Sequence, residues 1–368
     1  MFDEYPDVNE VFAFFENFIG LDNSIDFFKS RGMFFVSLSK SEVAKYGSKI
    51  IFGYEDFTEI KSITATKQNY NKISGFLIIT RKEIDEVRQV FRVGEVLKEK
   101  NSLSIKSVTS DRNNNKIKIS YSFERKVPGK MSLISTEERV GTFWVEPTGD
   151  EGIQIAIFNH KKNEDYVEIK DIIRKSFART DEYCDIVPFN LTRYSLENRI
   201  ELIDAILNHD YDDWTLEEVI SIRVKAGEEI SEELEDSSEL ESTQEVTEEL
   251  EDESEEINGE NDVRDLLKGI NDAILQGHDL RHNSFVVKCE SAGYYFPSVT
   301  MRMSHTREAY KIDLEVQFKF RPEMPEITIK NSFIVEDGEV NPYTLNEEFR
   351  KSTLDYFFHK IVAMYRSF

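Results

Sequence analysis

The chain has 368 residues, with 46 Lys and Arg against 71 Asp and Glu, so its formal net charge is −25 at pH 7. Its length allows about two domains, and 39% apolar residues are enough for packed cores, which excludes a chain disordered throughout. Two widely separated cysteines, Cys184 and Cys289, exclude a disulfide framework and a cysteine-rich zinc module.

The N-terminal region is predicted to be helical over 1–73. Apolar residues recur at helical spacing over 7–19, which predicts an amphipathic helix. Phe14 falls outside the predicted apolar stripe, so we expect its ring to be exposed and to contact a partner. A second helix is predicted over 24–30 and a strand over 33–38.

Residues 74–180 have the pattern of an α+β module, with strands between two predicted helices at 82–99 and 164–177. The clearest strand is 116–124, where every second residue is apolar, which is typical of a sheet with one buried face. We expect both helices to pack on the apolar face of an antiparallel sheet. Further strands are predicted at 75–80, 103–108, 131–135, 140–145 and 153–158.

A helical connector is predicted over 181–227, with helix continuing from 195 to 224. The next segment, 228–262, holds 18 Asp and Glu and no Lys or Arg. Such a segment buries too little apolar area to offset the entropy of ordering it, so we interpret it as an acidic disordered linker. The alternative is a nucleic-acid mimic or a docking tail for a basic partner.

Residues 263–368 repeat the α+β pattern of 74–180. Helices are predicted at 262–276 and 345–365, and strands at 284–290, 299–303, 310–320 and 326–335. The sequence therefore predicts an α+β fold of two antiparallel-sheet modules with helices on one face, joined through helical segments and the linker. Similar stretches beginning at Tyr54 and Tyr211 suggest a tandem duplication, in which the halves would form an intramolecular pseudo-dimer.

The densest histidine and aspartate cluster is His209, Asp212 and Asp213, which are weak candidates for catalysis with a divalent metal. The favoured interpretation is structural: Thr215 and Glu218 would form a capping box, and the aspartates would suit the N-terminus of a helix. We therefore predict no metal site and no cofactor.

Lys116, Lys118 and Arg125 are weak candidates for contact with a partner, and they would suit phosphates if they formed one basic patch. Nucleic acid is not favoured, because residues 74–180 carry little net positive charge. No apolar run approaches the about 20 residues of a membrane-spanning helix. With an acidic N-terminus unlike a secretory signal, this predicts a cytoplasmic protein without a membrane partner.

Common catalytic motifs, such as a phosphate-binding P-loop or an HExxH helix, do not occur. We therefore predict a non-enzymatic protein that binds a protein or peptide, as an adaptor, chaperone or regulator. The alternatives are a metal-dependent enzyme acting on nucleic acid or nucleotides, and a nucleic-acid-associated regulator.

Overall fold

A computed structural model of the chain combines helices with a large, mostly antiparallel sheet, so the fold class is mixed α+β. The structure describes residues 6–35, 39–53, 55–57, 59–60, 72–111, 115–126, 136–160, 162–226, 247–249, 272–277, 280, 286, 288–289, 293–336 and 338–368.

The helices and strands are numbered here in chain order. The helices are α1 (Val8–Asn17), α2 (Leu21–Lys29), α3 (Lys40–Gly47), α4 (Ile84–Val90), α5 (Asn163–Arg179), α6 (Leu196–Asn208) and α7 (Glu347–Ser367). The strands are β1 (Lys72–Thr80), β2 (Val96–Lys98), β3 (Leu103–Asp111), β4 (Lys116–Lys126), β5 (Thr136–Pro147), β6 (Ile153–His160), β7 (Cys184–Pro188), β8 (Trp214–Ala226), β9 (Thr247–Glu249), β10 (Asp272–Gln276), β11 (Tyr294–His305), β12 (Tyr310–Phe320), β13 (Glu323–Glu336) and β14 (Glu339–Pro342).

The chain forms two compact units that are interleaved along the sequence. Unit 1 comprises Met1–Gln68, Val87–Asp111 and Ile117–Thr142, and unit 2 comprises Asn69–Glu86, Arg112–Lys116 and Phe143–Phe368. These units differ from the predicted division at 73, 180, 227 and 262. The difference arises because strands from both predicted modules, and one from the predicted connector, pair within unit 2.

Unit 1 contains a core of phenylalanine side chains from α1, α2 and the segment after α3. The rings of Phe15 and Phe28 lie 4.9 Å apart, and both side chains are fully buried. Asp7 caps α1, since its Oδ1 accepts hydrogen bonds from the backbone amides of Asn9 and Glu10. Strands β2, β3 and most of β4 also belong to this unit.

The prediction that the ring of Phe14 is exposed is wrong, because this residue is 0% exposed. The buried stripe of α1 is rotated from the predicted one: Val11, Phe14 and Phe15 face the core, whereas Val8 is 54% exposed. A short helix rich in aromatic residues is compatible with several stripes, so its sequence does not decide which face is covered.

Unit 2 is built on a sheet with the strand order β5-β6-β1-β13-β12-β11-β8-β10-β9, in which β7 also pairs with β1 and β14 with β13. The pairs are antiparallel except for the parallel pair of β9 and β10. A large apolar core joins one face of this sheet to α6 and α7.

The helices of unit 2 lie on both faces of its sheet, contrary to the predicted single face. Tyr166 of α5 packs edge-on against Phe76 of β1, with ring centroids 5.5 Å apart. A Cβ atom added to the neighbouring Gly75 would lie 2.5 Å from the ring of Phe358 in α7. Because successive strand residues point to opposite faces, α5 and α7 cover opposite sides of β1.

The largest error in the predicted elements concerns residues 195–224, which are not one helix. Helix α6 ends at Asn208, and Trp214–Ala226 forms β8. Residues 219–226 are rich in β-branched side chains, and Ile222 and Val224 are buried while Arg223 is not, which is strand alternation. The predicted capping box at Thr215 is therefore wrong.

Three further elements differ from the predictions. The predicted helix 82–99 ends at Val90, and Asp272–Gln276, predicted as helix, is strand β10. In the predicted strand 284–290, the described residues Val286, Lys288 and Cys289 are helical. Met33 to Phe35 are not strand, and the strands β7 and β14 were not predicted.

Several predictions fall outside the described residues. These are the strand at 131–135, the residues of 262–276 before Asp272 and, apart from β9, the acidic segment 228–262. Among the described residues, no helix is both long enough and apolar enough to cross a membrane.

Candidate functional site

The predicted metal candidates lie in the turn before β8. The Oδ2 atom of Asp212 accepts a hydrogen bond from the hydroxyl of Tyr356 at 3.0 Å and lies 2.9 Å from Nζ of Lys360. The hydrogen bond from Lys360 lowers the pKa of Asp212, which keeps this carboxylate charged. Asp213 forms an ion pair with Arg307 at 3.1 Å.

Asp212 and Asp213 are thus each engaged in an ion pair with a basic side chain. The ring of His209 packs edge-on against Tyr211, with centroids 4.9 Å apart. Within the described part of the chain, no group of three His, Cys, Asp or Glu residues is arranged to hold a metal ion.

The three basic candidates lie on the same strand, β4, in different surroundings. Lys116 forms an ion pair with Oε2 of Glu146 at 2.6 Å. Lys118 is exposed, whereas Arg125 follows the alternation of the buried Tyr121 and Phe123. Strand alternation therefore directs Lys118 and Arg125 to opposite faces.

Unit 2 contains a cleft of about 300 Å³ that the sequence did not reveal. Its lining comes from the start of α5 and from strands β8, β11 and β12, together with the turn that joins β12 to β13. The lining residues are Asn163, Arg223, Pro297, Gln317, Phe318, Lys319, Phe320 and Arg321.

The strand register explains why these residues meet. Ser298 of β11 pairs with Arg223 of β8 on one side and with Gln317 of β12 on the other, so the three residues form one row across the sheet. Lys319 lies two residues beyond Gln317 and therefore points to the same face. Arg321 follows directly in the turn after β12.

The cleft has a strongly positive lining. Arg223, Lys319 and Arg321 contribute three cations, and none of the described lining residues is acidic. Next to them, the ammonium of Lys225 lies 3.8 Å from the centroid of the Phe320 ring, which is a cation–π contact. Arginine and lysine donors gathered in one concave site suit an anionic group.

Lys319 connects the cleft to a buried polar cluster under α5. Its Nζ donates to Oε2 of Glu326 at 2.6 Å, and Nζ of Lys72 donates to Oε1 of Glu326 at 2.7 Å. Glu326 is only 1% exposed. Burial alone would raise the pKa of Glu326, but the hydrogen bonds from the two lysines lower it, so the carboxylate stays charged.

His160 completes this cluster. Its Nε2 lies 3.7 Å from Oε2 of Glu326, and its side chain is fully buried. Burial lowers the pKa of His160 to about 4, so the ring is neutral at pH 7 and leaves the positive charge of the cleft unchanged.

A second titratable cluster in unit 2 ties α7 to β5. Nε2 of His359 hydrogen-bonds to Oε1 of Glu146, whose other oxygen contacts Lys116. Nδ1 of His359 lies 2.7 Å from the carbonyl oxygen of Asp355. Burial alone would lower the pKa of His359, but the hydrogen bond to Glu146 and the nearby carboxylates raise it. Protonated His359 and the carboxylate of Glu146 form an ion pair, which stabilises the position of α7.

The sequence does not reveal the cleft, because its pattern predicts a helix at Arg223. With residues 214–226 as a strand, the alternation of Ser221, Arg223 and Lys225 would have marked a polar, basic face. The pairing of that face with β11 and β12 would still have been unknown, because alternation does not determine strand order.

A comparison with protein-family models finds none that matches the chain, and a comparison with curated proteins finds no match.

Proposed function

We propose that this chain is a non-enzymatic, cytoplasmic protein that binds a protein or peptide partner, and that the cleft of unit 2 receives a negatively charged group of that partner. The observation that carries the proposal is the meeting of Arg223, Lys319 and Arg321 in one cleft, in which no lining residue that the structure describes is acidic. Such a lining favours an anion over a neutral or cationic group.

The surface beside the cleft supports a macromolecular partner. Strands β8, β11 and β12 carry a row of partly exposed polar side chains next to the cleft, which are Ser221, Thr300, Arg302, Glu315 and Gln317. Arg302 is held in place by Asp313, with 2.8 Å between Nε and Oδ1. A polar sheet face of this kind offers hydrogen bonds to a chain segment whose charged group occupies the cleft. Its ordered side chains reduce the entropy lost on binding.

A tandem origin of 74–180 and 263–368 is a further part of the proposal. In each, two antiparallel strands that are consecutive in the chain, β5-β6 and β12-β13, precede a long helix, α5 or α7.

Affinity capture with the full-length chain tests the binding function. The bait would be compared with Arg321→Glu, which reverses a charge in the cleft, and with Arg307→Glu, which reverses an exposed charge near Asp213. We expect a specific protein from the native extract to be retained by the original chain and by Arg307→Glu, and to be lost with Arg321→Glu.

Two results would contradict the proposal. Retention of the same protein by Arg321→Glu would remove the cleft from the interface. Retention of nucleic acid in place of protein, with loss in a Lys118→Glu variant, would favour the nucleic-acid alternative instead.

A further inference from the structure

We infer that a single water molecule is bound in the interior of unit 2, where it bridges Nε2 of His160 and Oε2 of Glu326. This inference is independent of the proposed binding function, because it concerns the interior of the unit and not the ligand of the cleft. It follows from the burial, the spacing and the charges of the side chains around His160.

His160 is a buried side chain whose hydrogen-bonding groups are not used by the protein atoms around it. The residue is fully buried, and neither of its ring nitrogens has a hydrogen-bond partner among the described residues. Buried polar groups in folded proteins are almost always hydrogen-bonded, either to the protein or to an ordered water. The ring therefore indicates a small hydrogen-bonding ligand beside it.

The spacing of His160 and Glu326 suits a bridging water. Nε2 of His160 lies 3.7 Å from Oε2 of Glu326, which is longer than a hydrogen bond. Bonds to a water are each about 2.8 Å long, so a water beside the line that joins the two atoms can bond both. Because water both donates and accepts, it can donate to the carboxylate and still satisfy Nε2 in either tautomer of the ring.

The strand register adds a further polar group to the same face of the sheet. Lys72 of β1 pairs with His160 of β6 on one side and with Thr328 of β13 on the other, so the three side chains form one row. Oγ1 of Thr328 is also buried and without a partner among the described residues. Internal waters typically bond about three polar groups, and this row offers a third one next to the bridged pair.

The charges around His160 favour a neutral ligand over an ion. The charged groups that act on it most strongly are the carboxylates of Glu326 and Asp165 and the ammonium groups of Lys319 and Lys72. Their formal charges cancel, so a cation would be repelled by two lysines and an anion by two carboxylates. An ion would also lose its hydration in this buried position, whereas a water keeps its hydrogen bonds.

The water connects His160 to the lysine of the cleft. Oε2 of Glu326, which the water bonds, also accepts the hydrogen bond from Nζ of Lys319 at 2.6 Å. A chain of hydrogen bonds therefore runs from β6 to β12 through the carboxylate of β13.

The number of long-lived internal waters tests the inference in solution. Oxygen-17 magnetic relaxation dispersion counts the water molecules that stay in a protein for longer than it takes to tumble, and it would be recorded for the full-length chain and its variants. His160→Phe keeps an aromatic ring and removes the polar nitrogens, and we expect it to lose the dispersion amplitude of one water. An amplitude equal to that of the original chain would overturn the inference.

The matched control is His305→Phe, which makes the same substitution at a histidine with protein partners. Nδ1 of His305 accepts hydrogen bonds from the backbone amides of Arg307 and Glu308, at 3.2 and 3.0 Å. We expect this variant to keep the amplitude of the original chain, and an equal loss in both variants would contradict a water held by His160. Circular dichroism and thermal melts would establish that each variant is folded.

A crystal structure of the original chain tests the geometry without any substitution. We expect one electron-density peak with the weight of a water at about 2.6–3.2 Å from both Nε2 of His160 and Oε2 of Glu326. A direct hydrogen bond between these two atoms, with no peak beside them, would overturn the inference. A peak at about 2.0–2.1 Å from Nε2 with the anomalous signal of a metal would identify a cation and would also overturn it.

Discussion

His160 is a neutral histidine in a fully buried position, next to Glu326 and between the sheet and α5. Neither of its ring nitrogens has a hydrogen-bond partner among the described residues. Protonation would place a charge in this position, and burial accordingly lowers the pKa of the ring to about 4. The residue therefore makes the folded state sensitive to acid.

We expect the free energy of unfolding to fall as the pH drops from about 6.5 to 4. In this range the unfolded state binds a proton at His160 and the folded state does not, so the free energy of unfolding rises with pH. The lowering of the pKa from 6.5 to about 4 corresponds to a change of roughly 3 kcal/mol in the free energy of unfolding. Urea unfolding of the original chain and of His160→Leu at pH 7 and pH 4.5 would measure it.

The comparison between the two proteins isolates this residue from the other groups that titrate on acidification. The original chain should lose more stability between the two pH values than His160→Leu does. An equal loss in both proteins would show that His160 does not control the acid sensitivity.

At the scale of the elements, a close packing contact and an ionic contact made by neighbouring residues help to fix α7 to the sheet. Gly75 of β1 leaves room for the ring of Phe358, and His359, the next residue, bonds to Glu146 of β5. Because neighbouring residues of α7 make these two contacts, the helix is fixed relative to both β1 and β5.

Gly75→Ala should destabilise unit 2 by about 1–3 kcal/mol or more, because the new Cβ would overlap its neighbours. It would lie 2.5 Å from the backbone oxygen of Ala156 and 2.5 Å from the ring of Phe358. Chemical denaturation would measure the effect. The double variant Gly75→Ala/Phe358→Leu should recover only part of the loss, because the backbone contact remains, and full recovery would contradict this explanation.

The ionic contact of His359 should give the opposite dependence on pH from that of His160. The pKa of His359 is raised above 6.5 in the folded state, so its contribution is fully present below pH 6.5 and is lost as the pH rises through the folded pKa. We expect the original chain to exceed His359→Gln in unfolding free energy by more at pH 6 than at pH 9. A difference that is constant with pH would exclude a protonated His359.

At the scale of the whole molecule, the site and the chain have opposite charge. The cleft is lined by three cations, whereas the net charge of the chain is −25, and 18 acidic residues lie in 228–262. An anionic ligand is therefore attracted at short range and repelled at long range. Salt screens both interactions, with a Debye length of about 10 Å at 0.1 M and about 30 Å at 0.01 M.

Neutralising the acidic segment should strengthen the binding of a small anionic probe, phenyl phosphate, to the cleft at low salt. A suitable variant replaces each Glu by Gln and each Asp by Asn in 228–262, except Glu248 and Glu249 of β9. We expect its dissociation constant to be several-fold lower than that of the original chain at about 0.01 M ionic strength, and nearly equal at about 0.5 M. Calorimetric titrations at the two salt concentrations would measure it. Equal constants at low salt would show that the segment's charge does not act at the cleft.

A feature could be predicted from the sequence when its pattern lies within one helix or strand, and could not when it depends on how several elements pair. Strands with long alternation, such as Lys116–Lys126 and Tyr310–Phe320, and the closing helix α7 were predicted because each pattern lies within one element. Strand β8 was missed because consecutive apolar residues such as Val219 and Ile220 fit a helix as well as a strand. The cleft depends on the neighbours of β8 and on register, which no local pattern encodes.

The pairing of β1 with β13 has a consequence for the synthesis of the protein. Residues 72–73 of β1 pair with 327–328 of β13, and the ion pair of Lys72 with Glu326 spans the same distance in the chain. A ribosome that adds about 5–20 residues per second needs roughly 10–50 s to reach Glu326 after Lys72 has been made. During that time, residues 72–73 at the start of β1 lack their partners in β13, whereas β7 can already pair with 76–80 of the same strand. The start of β1 is therefore the part of this strand that stays open longest to pairing with another chain.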